Sequence, residues 1–190
     1  MWLNFFCAYI FIILMLFVPG FLFFRSLSFS KIESLLFAPL FSIAFLCIIG
    51  IAFNEAGLFS SAPSTAIPLF IIPTVCFLFS RKYRNRKKEI RTDWVILALY
   101  VVVGIAIGGY VYLIPLDGPE SIIQTYDNVF HYNVVESFIE SGSWSILSVD
   151  SYLGDQSFDP FPGASFYPAG WHVISAFAAS AIQSSAPLAA

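Results

Sequence analysis

Apolar residues fill this chain in four long runs, and a single polar stretch interrupts them. Residues 2–24 are apolar apart from Asn4, and residues 35–53, 63–80 and 94–115 repeat the pattern. About 20 apolar residues cross a bilayer core, so each run predicts a transmembrane helix. Pro19–Gly20 predicts a kink in the first, of a kind that membrane helices tolerate. Pro63, Pro68 and Pro73 recur every five residues in the third and predict a bent or partly broken segment. Trp94 at one end of the fourth run and Tyr110 and Tyr112 at the other suit an aromatic belt. Residues 168–182 are apolar again but marginal in length for a span. With the polar residues that follow, they read as the start of a further membrane helix, truncated within 168–190. The expected fold is therefore an all-α membrane protein. A four-helix transmembrane region occupies 1–115, and a loop over 116–167 leads to the next membrane helix.

Within that loop the periodicity changes. Pro115 and the Asp117-Gly118-Pro119 cluster predict a turn. Residues 126–141 then predict an amphipathic helix, with Thr125 as N-cap and Gly142 as the C-terminal stop. At 100° per residue, Phe130, Val134, Val135 and Phe138 form an apolar stripe. Asn128, Tyr132, Asn133, Glu136, Ser137 and Glu140 fall on the other side. Asp127 and His131 lie in the middle of the stripe, one turn apart. An acid and an imidazole on a helix's inward face are unexpected, and that is what draws attention to them.

Charge gives these runs an orientation. All nine Lys and Arg lie at or before Arg91, and only 11% of residues are charged, against about 25% in soluble domains. Arg25 and Lys31 follow the first run, whereas a secretory signal would carry its positive charge before it. The second connection, 54–62, has no Lys or Arg, and RKYRNRKKEIR from Arg81 to Arg91 is strongly basic. By the positive-inside rule, loop 81–92 is cytoplasmic, and the N-terminus and loop 116–167 lie on the outer side of the membrane. The acidic half carries no basic surface, which excludes a nucleic-acid partner. Cys7, Cys47 and Cys76 have no metal-ligand spacing and read as small buried hydrophobes.

The candidate chemistry gathers in the outer loop. Asp127 can accept a proton from an attacking hydroxyl. Asp127 and His131 can be two ligands of a divalent metal ion, or can bond a pair of sugar hydroxyls without chemistry. The architectural alternative is an Asp that caps the first turn and a His that bonds it. Between Gly142 and Phe166, acids alternate with Trp144, Tyr152, Phe158 and Phe161, a mixture that suits carbohydrate. Asp150, Asp155 and Asp159 can instead offer oxygens to Ca²⁺, without EF-hand spacing. In FYPAGWH, Pro168 opens a helix and His172 sits in its first turn, at the outer surface, where exposed N–H groups attract an anion such as phosphate.

VPGFLFFRSL, FAPLFSIAFL, YDNVFH and FYPAGWH together resemble an uncharacterised family of bacterial polytopic membrane proteins. That family is similar to the GT-C class of membrane glycosyltransferases. The resemblance implies transfer of a sugar from a polyprenyl-phosphate donor to a cell-envelope acceptor, with membrane lipid around the spans. It implies catalytic roles for Asp127 and His131. His172, Tyr167, Trp171, Asp155 and Asp159 would bind substrate. A non-catalytic module that binds or helps move an envelope glycolipid would use the same residues.

Overall fold

The computed structural model describes residues 2–80, 94–114, 118, 126–150 and 165–183. The basic loop 81–92, Pro115, Asp117, Pro119, Thr125, Asp155, Asp159 and the chain end 184–190 lie outside the described residues. So do the side chains of Trp94, Tyr112, Asp127 and Asn128.

Among the described residues every element is helical. They are α1 (Trp2–Ser26), α2 (Lys31–Glu55), α3 (Ala62–Ser80), α4 (Trp94–Gly108, continued by a π-helical turn, Gly109–Leu113), α5 (Tyr126–Ser141) and α6 (Gly170–Ile182). Three segments are long and apolar enough to cross a membrane: Leu3–Ser26, Lys31–Glu55 and Ala62–Ser80. The 25 residues of α2 run ~37 Å at 1.5 Å per residue. The 13 residues of α6 make only ~20 Å, short of a bilayer core of ~30 Å. The fourth apolar run forms α4, which touches none of the other helices among the described residues.

Local chemistry sets the ends. Ser30 and Glu33 close a reciprocal capping box on α2: Ser30 N–H donates to Glu33 Oε2 at 2.8 Å, and Glu33 N–H to Ser30 Oγ at 3.2 Å. Gly142 stops α5 as its position predicts. It takes φ +64°, a region open to glycine, and its N–H donates to the Phe138 carbonyl at 3.1 Å. The prolines do not break α3, which stays α-helical from Ala62 to Ser80 with Pro68 and Pro73 inside it.

Small residues bring α1 and α2 together. Ser34, Ala38, Ser42, Leu46 and Gly50 are buried at four-residue steps along one face of α2. Gly20 of α1 lies against Ala38, and its N–H donates to Ser42 Oγ at 3.0 Å. Close approach of this kind is how apolar helices associate where lipid removes the hydrophobic drive between them. Phe23 stacks on Phe41 at a centroid distance of 4.0 Å and extends the same seam.

Helices α5 and α6 lie side by side on this group. Position 131 faces 172, and Ile139 packs on Ala178 and Ala179, so the two helices run parallel. Gly170 begins α6 against Ile43, halfway along α2. Near its other end, Ser180 Oγ accepts from the Ala62 N–H at the start of α3, at 3.0 Å. The connecting strand of chain follows α2 without being helical. Ser143 Oγ bonds Asn54 Oδ1 at 2.6 Å, Trp144 rests on Gly50, and Val149 pairs with Ser165 through two backbone bonds.

Phe130, Val134, Val135 and Phe138 are all buried, which is the stripe the periodicity predicts. Ser137, expected on the polar side, is buried too. The cysteines separate: Cys47 is buried, Cys76 intermediate and Cys7 exposed. A thiol is apolar enough for an outward helix face, so hydrophobicity alone does not place it inside.

Candidate functional site

The N-terminal ends of α5 and α6 bring together the chain's only two histidines. His131 Nδ1 lies 2.8 Å from His172 Nε2, across 41 residues of sequence. The two rings have unequal surroundings. His172 is 1% exposed, with Trp171 stacked on it at 4.3 Å and 24°, and Tyr167 edge-on at 5.6 Å. His131 is half-buried and meets Phe130, Trp171 and His172. Trp171 remains 40% exposed and Phe166 is exposed. Aromatic surface open to solvent thus borders an imidazole pair that is closed on its far side.

The geometry decides what the pair can hold. Two imidazole nitrogens in a tetrahedral Zn²⁺ shell, with bonds of ~2.0–2.1 Å, stand about 3.3 Å apart. At 2.8 Å these nitrogens share a hydrogen and leave no room for an ion between them. No group of three His, Cys, Asp or Glu capable of holding a metal occurs among the described residues. The Asp127 carboxylate lies outside the described residues, and its backbone is in the first turn of α5, one turn before His131.

Burial pushes the His172 imidazolium down to about 4, and the facing His131 adds like-charge repulsion. The Ala169 carbonyl pulls weakly the other way, and Nδ1 of His172 has no hydrogen-bond partner of normal geometry among the described residues. His172 is therefore neutral at pH 7. Its ordinary value is 6.5, so below that the unfolded chain binds a proton the folded one refuses. Stability is full above pH 6.5 and falls as the pH drops toward 4, by on the order of 2–3 kcal/mol in total. Thermal midpoints measured from pH 7.5 to 5 should show the decline, and His172→Gln should flatten it.

Of the sequence-predicted site residues, the structure brings together His131, Tyr167, Trp171 and His172. Asp155 and Asp159 lie outside the described residues. Trp144 corrects the carbohydrate expectation. It is 1% exposed, its Nε1–H donates to the Phe138 carbonyl at 2.9 Å, and it stands edge-on to Phe177, so it cannot stack on a sugar. Phe130 was visible only as a core position, yet its ring also borders both His131 and Tyr167. Its place directly before His131 in YDNVFH is the sole hint in the sequence.

Residues 13–190 match a family whose description is a family of unknown function, DUF6541. The chain belongs to that family. The matched span takes in all but the start of α1, and so includes both histidines. No curated protein and no solved structure matches the chain.

Proposed function

We propose that this protein is a GT-C-like membrane glycosyltransferase, or part of one, that moves a sugar from a polyprenyl-phosphate donor to a cell-envelope acceptor. The observation that carries the reading is the His131–His172 contact beside the exposed Trp171 side chain. An indole face offers a stacking surface for a sugar ring, and an imidazole offers a polar atom to its hydroxyls. In this reading Asp127, one turn before His131, is the general base toward the acceptor hydroxyl, and His131 and Tyr167 help orient the substrate. The apolar sides of α1–α3 fit a lipid-borne donor. With α4 as a fourth span, the charge distribution along the chain supports an N-terminus outside the cytoplasmic membrane and a site reached from that side, at the depth of Ile43, halfway along α2.

The test is Asp127→Asn in the full chain, assayed with membranes that supply polyprenyl-linked sugars. Removing a positioned general base should lower product formation by about 10²–10⁴-fold. Product formation at the unaltered rate, with only weaker retention of the glycolipid, would favour a binding module over an enzyme.

A further inference from the structure

Helix α5 is peripheral: among the helices its backbone approaches that of α6 alone, whereas α6 also packs on α1, α2 and α3. Contacts at its two ends fix its height. Just past one end, the Gly142 carbonyl accepts from Ser60 N–H at 2.7 Å and Ser143 Oγ donates to Asn54 Oδ1. That end is therefore level with the end of α2 and the start of α3. Toward the other end, His131 faces His172, two residues past Gly170, which lies against Ile43 halfway along α2. Helices α5 and α6 thus stand beside one half of α2, not beyond it. Where α2 and α3 cross a bilayer, both short helices stand in one leaflet, with the imidazole pair near the midplane.

The outward face of α5 does not suit acyl chains at that depth. At 100° per residue, Val129, Asn133, Glu136 and Glu140 form one row, opposite the buried Phe130, Val134 and Phe138. Val129 and Glu140 are exposed, and Asn133 and Glu136 are half-buried. Asn133 donates one N–H to the Val129 carbonyl, and Glu136 has no hydrogen bond or ion pair among the described residues. This chain has no Lys or Arg near them. Arg25 and Lys31 stand at the opposite end of α2, and all the others lie between Arg81 and Arg91, past the far end of α3. The ~37 Å of α2 exceeds a bilayer core by only ~7 Å. Glu136 and Asn133 lie ~9 and ~13 Å short of Gly142 along α5. Both are inside the core even if the whole excess protrudes at that end. An ionisable side chain so placed faces a partner or a water-filled cavity.

We propose that the Asn133–Glu136–Glu140 face of α5 lines a water-filled recess, open on the membrane side away from the basic loops, that reaches to within about a helical turn of the depth of the imidazole pair. Water is the occupant that suits these residues. Interface cores are depleted in charged side chains, and the same face of a second copy would set carboxylates against carboxylates. The recess itself does not depend on the transferase reading. Its use does: on that reading, the recess brings a polar acceptor to the depth of the histidines without a passage through lipid.

Cysteines matched in depth test the recess. Ile67 and Ile71 are exposed on α3 and lie about as far from its start at Ala62 as Glu136 and Asn133 lie from Gly142. In the full chain, with Cys7, Cys47 and Cys76 changed to alanine, Glu140→Cys, Glu136→Cys and Asn133→Cys are compared with Ile67→Cys and Ile71→Cys in intact cells. A cationic, membrane-impermeant methanethiosulfonate added outside should modify all three α5 positions. Because the reactive thiolate forms in water and not in hydrocarbon, Asn133→Cys should react at least about tenfold faster than Ile71→Cys. Equal protection of the two overturns the proposal, the α5 face then being covered by lipid or protein. Equal reaction overturns it as well, since α3 would not then line a lipid core. Modification only when the reagent reaches the cytoplasmic side overturns the outward opening. If the cysteine-free background does not fold, Asn133→Cys and Ile71→Cys in the native background still decide, read by mass spectrometry of the labelled peptides. No substrate enters the measurement, so failure of the transferase assay and failure of this proposal are separate results.

Discussion

Trp144→Ala should destabilise the protein by about 3–5 kcal/mol, the range for removing a large aromatic from a packed core. The indole is buried between α2, α5 and α6. Its backbone carbonyl and Cβ lie where a side chain on Gly50 would go, and its ring meets Phe177 at 6.2 Å. The helices around it also pack on one another, α6 on α2 where Gly170 meets Ile43, so they cannot simply close over the space. Trp144→Phe should cost far less, about 1–2 kcal/mol. It keeps most of the ring, and the Phe138 carbonyl that loses the indole donor still accepts from Gly142 N–H. Thermal unfolding of the purified protein in detergent measures both. Near-equal midpoints for Ala and the unaltered protein would mean that the 142–150 segment is not docked on α2.

Gly20→Val should be at least as damaging. A Cβ at Gly20 would fall 2.1 Å from the Ala38 carbonyl oxygen and 2.6 Å from its Cα. Both atoms are backbone, so no rotamer change relieves the clash, and α1 must move away from α2. Overpacking a core costs ~1–3 kcal/mol where side chains can yield, and here they cannot. The shift would also pull Gly20 N–H from Ser42 Oγ and separate Phe23 from Phe41. The expected outcome is a midpoint lowered beyond that of Ser42→Ala, which removes only the hydrogen bond. A Gly20→Val protein as stable as Ser42→Ala would place the crossing elsewhere.

The helices were readable from the chain because each depends on its own residues. Apolar runs, Gly142 and the 3.6-residue period of Phe130, Val134, Val135 and Phe138 are local signals, and they place the segments and the buried face of α5. The continuity of α3 through Pro68 and Pro73 was not readable, since a proline's effect depends on what packs around the freed carbonyl. Nor was the burial of Trp144. An aromatic among serines looks like a surface residue until Gly50, 94 positions earlier, supplies a flat place for it. The same limit applies to the imidazole pair. Periodicity says which way His131 points on α5, but its meeting with His172 depends on the path of the chain between them, which turns back to leave α5 and α6 parallel.

The descent of residues 142–150 beside α2 divides the bundle's perimeter into two kinds of wall. Peptide groups outside a helix need partners that hydrocarbon tails cannot give. The chain from Ser143 to Asp150 has several such groups, and Asp150 and Leu147 are exposed along it. With α2 set across a bilayer, that flank has to meet water or more protein, while the smooth sides bearing Leu36, Leu40, Ile71 and Leu78 are the ones suited to acyl chains. The protein would then sit in its membrane with one side against lipid and the other against water or further protein.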